Sequence, residues 1–277
     1  MEKPTHTQVI GITSGKSGVG KTTVSVNLAV ALHDMNYNVM LLDANTSASN
    51  AQVALGAHCP HNLADFISGQ KNLKNIIHTR HYGIRLINAA NTIEQMTQLN
   101  PDQASRALKQ FSEMEEEVDF LIIDLPPGTD PAILSFMACT GRRLVVVRCG
   151  DKEGLADAYA MIKVLCSDFG LDRIYIIANG APTLEEGKKL FDHLNTVATK
   201  FLNRELHFLG SVVKDELMVE AAHNHKAVTE FAPTSTAARD FRQLAIATSE
   251  LDRKQYEEGG LGHFVQRIIH LHELKAS

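Results

Sequence analysis

The octet Gly15-Lys16-Ser17-Gly18-Val19-Gly20-Lys21-Thr22 fits the spacing GxxxxGK[ST]. Glycines in such a run let successive backbone N–H groups converge on phosphate oxygens. A helix beginning at its end adds a dipole that favours anions. Lys21 is expected to reach the terminal phosphates of a nucleotide and the Thr22 hydroxyl to ligate Mg²⁺, with Thr23 beside them in the same cradle. The motif needs a strand before it and a helix after it. Val9–Thr13 reads as that strand, and Lys21 opens the helical stretch.

The rest of the chain repeats this alternation. Short apolar runs begin at Val9, Asn38, Gly83, Asp119, Arg143, Arg173 and His207. Most are rich in Val, Ile and Leu with little polar alternation, as in strands covered on both faces. Helix-length segments lie between them, among them 21–33, 101–116, 155–169 and 184–201. Strand and helix in turn imply right-handed crossovers and a mostly parallel sheet. The expected fold is a single α/β nucleotide-binding domain over residues 1–255, with seven or eight strands and a short tail over 256–277.

Composition removes several other classes. The chain has 277 residues, 44% hydrophobic and 21% charged, as expected of a soluble globular protein. A net charge of −5 and a pI near 6.2 argue against a broadly basic nucleic-acid-binding surface. No apolar run approaches the roughly 20 residues of a membrane span. MEKPTHTQ at the start carries no signal-peptide core. Cys59, Cys139, Cys149 and Cys166 form no CxxC pair and read as reduced thiols in a cytoplasmic protein. His58-Cys59-Pro60-His61 and His223-Asn224-His225 lack the spacing of a zinc site and read as loop histidines.

Lys16, directly after the first glycine, resembles the signature lysine of the deviant Walker A motif in the MinD/ParA/nitrogenase-iron-protein class. The resemblance extends along most of the chain. Val39–Asp43 is similar to the strand entering the first switch, and Phe120–Asp124, with Gly128 after it, to the Walker B strand and second switch. Ile176–Asn179 is similar to the strand whose asparagine reads adenine. More narrowly, the segments 156–163, 186–191 and 262–268 resemble the flagellar-number regulators FlhG/FleN. The resemblance implies an ATPase that binds ATP or ADP with Mg²⁺ and forms a homodimer with ATP. Lys16 would cross the interface, Asn179 would read the base, and Thr22, Asp43 and Asp124 would serve the metal. It further implies control of flagellar number or placement, at the inner face of the membrane or the cell pole. The implied partner is a flagellar transcription activator or an FlhF-type GTPase. The family's DQAxxLR activator helix does not precede Val9, so activator control is the stronger expectation. A ParA-type partitioner of DNA or cargo is the alternative, and the acidic pI makes nucleic acid the less expected partner.

Two switches depart from the family pattern. The first usually reads DxDxGxxN, and here it reads Asp43-Ala44-Asn45-Thr46-Ser47-Ala48-Ser49-Asn50. Asn45 stands where the family has the aspartate that positions the attacking water. An amide is nearly isosteric with a carboxylate but is not a useful base. Losing such a group typically costs about 10²–10⁴ in rate. Either turnover is impaired, leaving a nucleotide-binding scaffold or decoy, or Asp43 compensates. Ser17, at a usual glycine, either crowds the loop or faces solvent. The second switch, Asp124-Leu125-Pro126-Pro127-Gly128, also resembles the Mrp/Nbp35 iron–sulfur carriers, but their CPxC pair is missing.

Leu261, Phe264, Val265, Ile268, Ile269 and Leu271 form one apolar stripe on a helix, with His263, Gln266, Arg267, His270 and Glu273 mostly opposite. Glu257-Glu258-Gly259-Gly260 reads as a hinge before it. The stripe suits either a helix docked on its own domain or a reversible membrane-surface helix.

Overall fold

A computed structural model describes residues 3–45, 51–80, 83–251 and 260–271. Among them are eight strands: β1 (Gln8–Thr13), β2 (Val39–Asp43), β3 (His78–Thr79), β4 (Arg85–Asn88), β5 (Phe120–Asp124), β6 (Arg142–Arg148), β7 (Tyr175–Ala181) and β8 (His207–Val213). They form one sheet in the order β3-β4-β2-β5-β1-β6-β7-β8. Every pairing is parallel except β3 with β4. The seven apolar runs each supply a strand. The two-residue edge strand β3 has no apolar run to announce it. The segment expected as a helix over 101–116 stops at Ser112, and a single 3-10 turn, Glu115–Glu117, follows. A continued helix would set Glu113 one turn from Glu116 and Glu117, like charges at i,i+3 and i,i+4 that repel.

Strand parity explains the unbroken apolar runs. Val9, Met40, Leu42, Leu121, Ile123, Val145 and Val147 face one core, beneath the helices Pro101–Ser112, Pro131–Cys139, Lys152–Asp168 and Leu184–Leu202. Ile10, Ile12, Leu41, Phe120, Ile122, Leu144 and Val146 face the other, beneath Lys21–Asp34 and Thr236–Glu250. Successive side chains point to opposite faces, so a sheet covered twice needs apolar residues at every position. No described helix is long and apolar enough to cross a membrane.

The tail helix, Leu261–Ile269, lies against Pro101–Ser112 and Pro131–Cys139. Leu261, Phe264, Val265, Ile268 and Leu271 are buried and Ile269 partly so. Phe264 meets Phe136 edge-to-face, with ring centroids 5.4 Å apart. Arg267, expected on the solvent side, donates to the Ala138 carbonyl at 2.7 Å, satisfying an acceptor in the last turn of the Pro131–Cys139 helix. Glu115 accepts from the Thr7 amide at 2.7 Å and from the Leu261 amide, so one carboxylate ties the entry to β1 and the start of the tail helix together. Glu257, Glu258, Gly259 and Glu273 lie outside the described residues.

Phe264→Ala is expected to cost about 3–5 kcal/mol in urea unfolding, the usual range for emptying a buried phenylalanine site. A loss below about 1 kcal/mol would mean that the helix is largely undocked in solution.

Candidate functional site

Register alone brings the two strand-end acids together. Asp43 pairs with Asp124 across β2 and β5, and Ile12 of β1 lies level with Asp124 on the other side. The chain leaving β1 turns at this edge and enters the Lys21–Asp34 helix. Gly20, at φ 89°, is its N-cap, and no side chain caps it. A Cβ on Gly20 would lie 2.2 Å from Asn179 Nδ2, and one on Gly15 would lie 2.3 Å from the backbone of Asp157 and Ala158. Gly15 requires glycine because backbone occupies the space, and Gly20 because of its positive φ beside the Asn179 side chain. Ser17 is exposed, so its side chain does not crowd the loop.

The uncapped helix end lines a cavity of 320 Å³ together with Ser14, Lys16, Ser17, Gly18, Asn45 and Pro127. Lys21 and Asp124 are buried beside it and ion-paired at 2.8 Å. Thr22 Oγ1 donates to Asp124 Oδ2 at 2.6 Å, and Ser25 Oγ lies 3.0 Å from Asp124 Oδ1. Asn45 Nδ2 donates to Thr22 Oγ1 at 2.9 Å, while the Asn45 amide donates to Asp43 Oδ1 at 3.2 Å. The expected phosphate, metal and water-positioning residues therefore form one connected network. Thr23 lines the same cavity.

The fit to a nucleotide phosphate and Mg²⁺ rests on this donor set. An uncapped helix N-terminus, a lysine and a threonine hydroxyl suit phosphate and metal. Two carboxylates within one network suit a hard cation.

Asp43 is fully buried, and burial, with the Asp124 charge second, pushes it from its ordinary 3.8 to about 6. The raised value means that the folded protein holds this proton more tightly than the unfolded chain. The stability Asp43 lends is therefore present at low pH and is lost as pH rises from about 4 through about 6, by on the order of 2–3 kcal/mol. Asp43→Asn should remove that loss. In chelator, it is expected to raise the melting temperature at pH 8 and change it little at pH 4; equal effects at both pH values would refute the assignment.

Lys16 does not enter the phosphate cavity alone. Its Nζ lies 3.1 Å from Asp151 and 3.5 Å from Glu153 in the same chain. Asn179 Nδ2 donates to the Val19 carbonyl at 2.8 Å, holding the loop against β7. Arg148 Nη1 donates to the Gly18 carbonyl at 3.1 Å. Gly128, at φ 101°, donates its amide to the Ser14 carbonyl at 2.9 Å. Asn50 and Ser47 lie outside the described residues. Asp151, Arg148 and Ser25 carried no signal in isolation. Only Ser25 was within reach of one, since it sits one helical turn after Lys21 and shares its face.

A family model described as ParA, NUBPL iron-transfer P-loop NTPase, matches residues 5–248. The chain belongs to the ParA family of P-loop NTPases. ParA/MinD-family NTPases are ATPases. The antiactivator FleN of Pseudomonas aeruginosa is 36% identical over 262 residues, spanning 95% of this chain and 93% of that protein. The flagellum site-determining protein YlxH of Helicobacter pylori is 29% identical, spanning 95% and 90%. Septum site-determining MinD of Pyrococcus horikoshii, solved with Mg-ADP, superposes with a TM-score of 0.68 at 24% identity, over 88% of this chain and 97% of that one. This ParA-family chain lacks the CPxC pair of the iron–sulfur carriers, and no cluster of three or more metal-ligating side chains occurs among its described residues. Burial pushes the Cys139 thiol up to about 12 and Cys59 to about 11, which disfavours thiolate ligation there.

Proposed function

We propose that this protein is an ATP-dependent dimerisation switch of the FlhG/FleN kind that regulates flagellar number or placement. The observation that carries the reading is the joined Lys21–Asp124–Thr22–Asn45 network at an uncapped helix end, in a chain 36% identical to FleN over 95% of its length. In this reading Lys21 leaves Asp124 for the terminal phosphates, and Thr22 turns its hydroxyl toward Mg²⁺. Asp124 and Asp43 would serve the metal, and Asn179 would exchange the Val19 carbonyl for the adenine base. Bound Mg²⁺ supplies charge neutralisation on the transferring phosphate. Lys16 exchanges Asp151 and Glu153 for the nucleotide of a second copy, so that two nucleotides are sealed between two subunits. The ATP dimer presents a surface to a flagellar transcription activator, with an FlhF-type GTPase as the other candidate partner. The tail, with its helix Leu261–Ile269, is released from the Pro101–Ser112 and Pro131–Cys139 helices by dimerisation and reaches the inner membrane surface.

Light scattering after size exclusion tests the switch. ATP with Mg²⁺ is expected to convert monomer to dimer, and Lys16→Ala to remove that shift while leaving the fold intact, because ion pairs at the protein surface contribute little to stability. A wild-type protein that stays monomeric at saturating ATP would overturn the proposal.

A second reading has one specific support. Asn45 donates to Thr22, a hydrogen bond that a carboxylate at this position cannot make. A protein that binds nucleotide and hardly turns it over, serving as a scaffold, would have this residue.

A further inference from the structure

Ser25 belongs to the network, yet it touches neither the cavity nor solvent. Its side chain is fully buried, and it is not among the residues lining the 320 Å³ space. Its hydroxyl lies 3.0 Å from Asp124 Oδ1 and 3.1 Å from the Lys21 carbonyl one turn earlier. A hydroxyl has one proton to give, and a bond to a carboxylate is stronger than one to a backbone carbonyl. The Lys21 carbonyl already has a role in the helix ladder. The proton therefore goes to Asp124.

Among the described residues, Asp124 takes side-chain donors from Lys21, Thr22 and Ser25. Two of the three have a second task. Lys21 is the phosphate lysine of the motif, and Thr22 is its metal-side hydroxyl. When both turn to a nucleotide and its metal, a fully buried carboxylate loses its cation and one hydroxyl together. Ser25 has no competing ligand, because no part of it lines the cavity. It remains on Oδ1 and leaves Oδ2, the oxygen that Thr22 vacates, directed at the metal side.

We propose that Ser25 is a positioning residue that holds the Asp124 carboxylate in its metal-facing orientation once Lys21 and Thr22 have left it. The proposal rests on the nucleotide reading given above. It gives a role to a polar side chain that is fully buried between Val24 and Val26. A buried hydroxyl costs free energy unless it is bonded, and here its bond is to the one acid that must not rotate.

The test separates metal from phosphate binding. ADP affinity is measured by calorimetry in Mg²⁺ and again in chelator, for wild type, Ser25→Ala and Ser25→Thr. The wild type is expected to bind more tightly with Mg²⁺. Ser25→Ala should lose about tenfold of that enhancement, while its metal-free affinity stays within about threefold of wild type, and Ser25→Thr should recover most of the loss. Circular dichroism melting on the same samples reports folding, so a general collapse is not mistaken for the effect. Full Mg²⁺ enhancement in Ser25→Ala overturns the role of Ser25. So does an equal loss of affinity with and without metal. A wild type that binds no ADP in either condition overturns the nucleotide reading itself.

Discussion

Lys21→Ala is expected to abolish measurable binding of ATP and ADP in calorimetry and to lower the stability of the empty protein. The first effect follows from the motif, since the lysine supplies the positive charge nearest the terminal phosphates. The second follows from the structure. The Lys21 side chain is 6% exposed and Asp124 is fully buried, so the ion pair is largely withdrawn from water. Removing one partner of a buried pair leaves an uncompensated charge, which typically costs about 3–5 kcal/mol. The hydroxyls of Thr22 and Ser25 remain on Asp124 and keep the cost toward the lower end. Chemical unfolding in urea measures the loss. Asp124→Asn in the same background should recover part of it, because an amide needs no counter-charge. Nucleotide affinity in Lys21→Ala equal to wild type would refute the phosphate site.

Asn45→Asp carries the second large effect, with opposite signs in the empty and loaded protein. In the empty site the substitution removes the donor to Thr22 Oγ1 and adds a third carboxylate near Asp43 and Asp124. The empty variant should therefore melt lower than wild type at pH 8, and the deficit should shrink toward pH 5 as the acids protonate. In the presence of ATP and Mg²⁺ the added carboxylate restores the water-positioning group that the family pattern has here. A gain of ~10-fold or more in turnover is expected, equal to about 1.4 kcal/mol of barrier. Steady-state phosphate release measures it. If wild type already turns over as fast as the variant, Asn45 does not limit catalysis and the scaffold reading loses its support.

The tail helix and the nucleotide site pack on a shared element. The tail helix packs on Pro131–Cys139, which directly follows the second switch, and that helix in turn packs on β1 beneath the loop. A Cβ on Gly11 of β1 would lie 2.6 Å from Met137 Sδ, so contact at this point is already close. In the proposed switch, movement of the segment after Asp124 and undocking of the tail would act on one helix.

The local facts were legible in the residues. Backbone sterics fix what a glycine-rich loop between strand and helix can do, and the loop appears as expected, with Gly18 and Gly20 both at positive φ. Apolar runs without alternation implied a sheet covered twice, because a one-sided sheet would alternate. The tail's stripe was legible as a stripe, but its partner was not. Periodicity fixes which face of a helix is apolar and is silent on what covers it, and only the tertiary structure shows the surface it docks on, with Phe264 against Phe136 beside Phe111. The same holds for charges. Lys16 was visible as a cation of unusual position, but its partner Asp151 is 135 residues away. Glu115 carried no sequence signal beyond its place at the end of an expected helix, yet it joins the Thr7 and Leu261 amides from opposite ends of the chain. Sequence determines local conformation and one-sided patterns because those depend on neighbouring residues. Pairings between distant side chains depend on strand order and register, and these exist only after the sheet has formed.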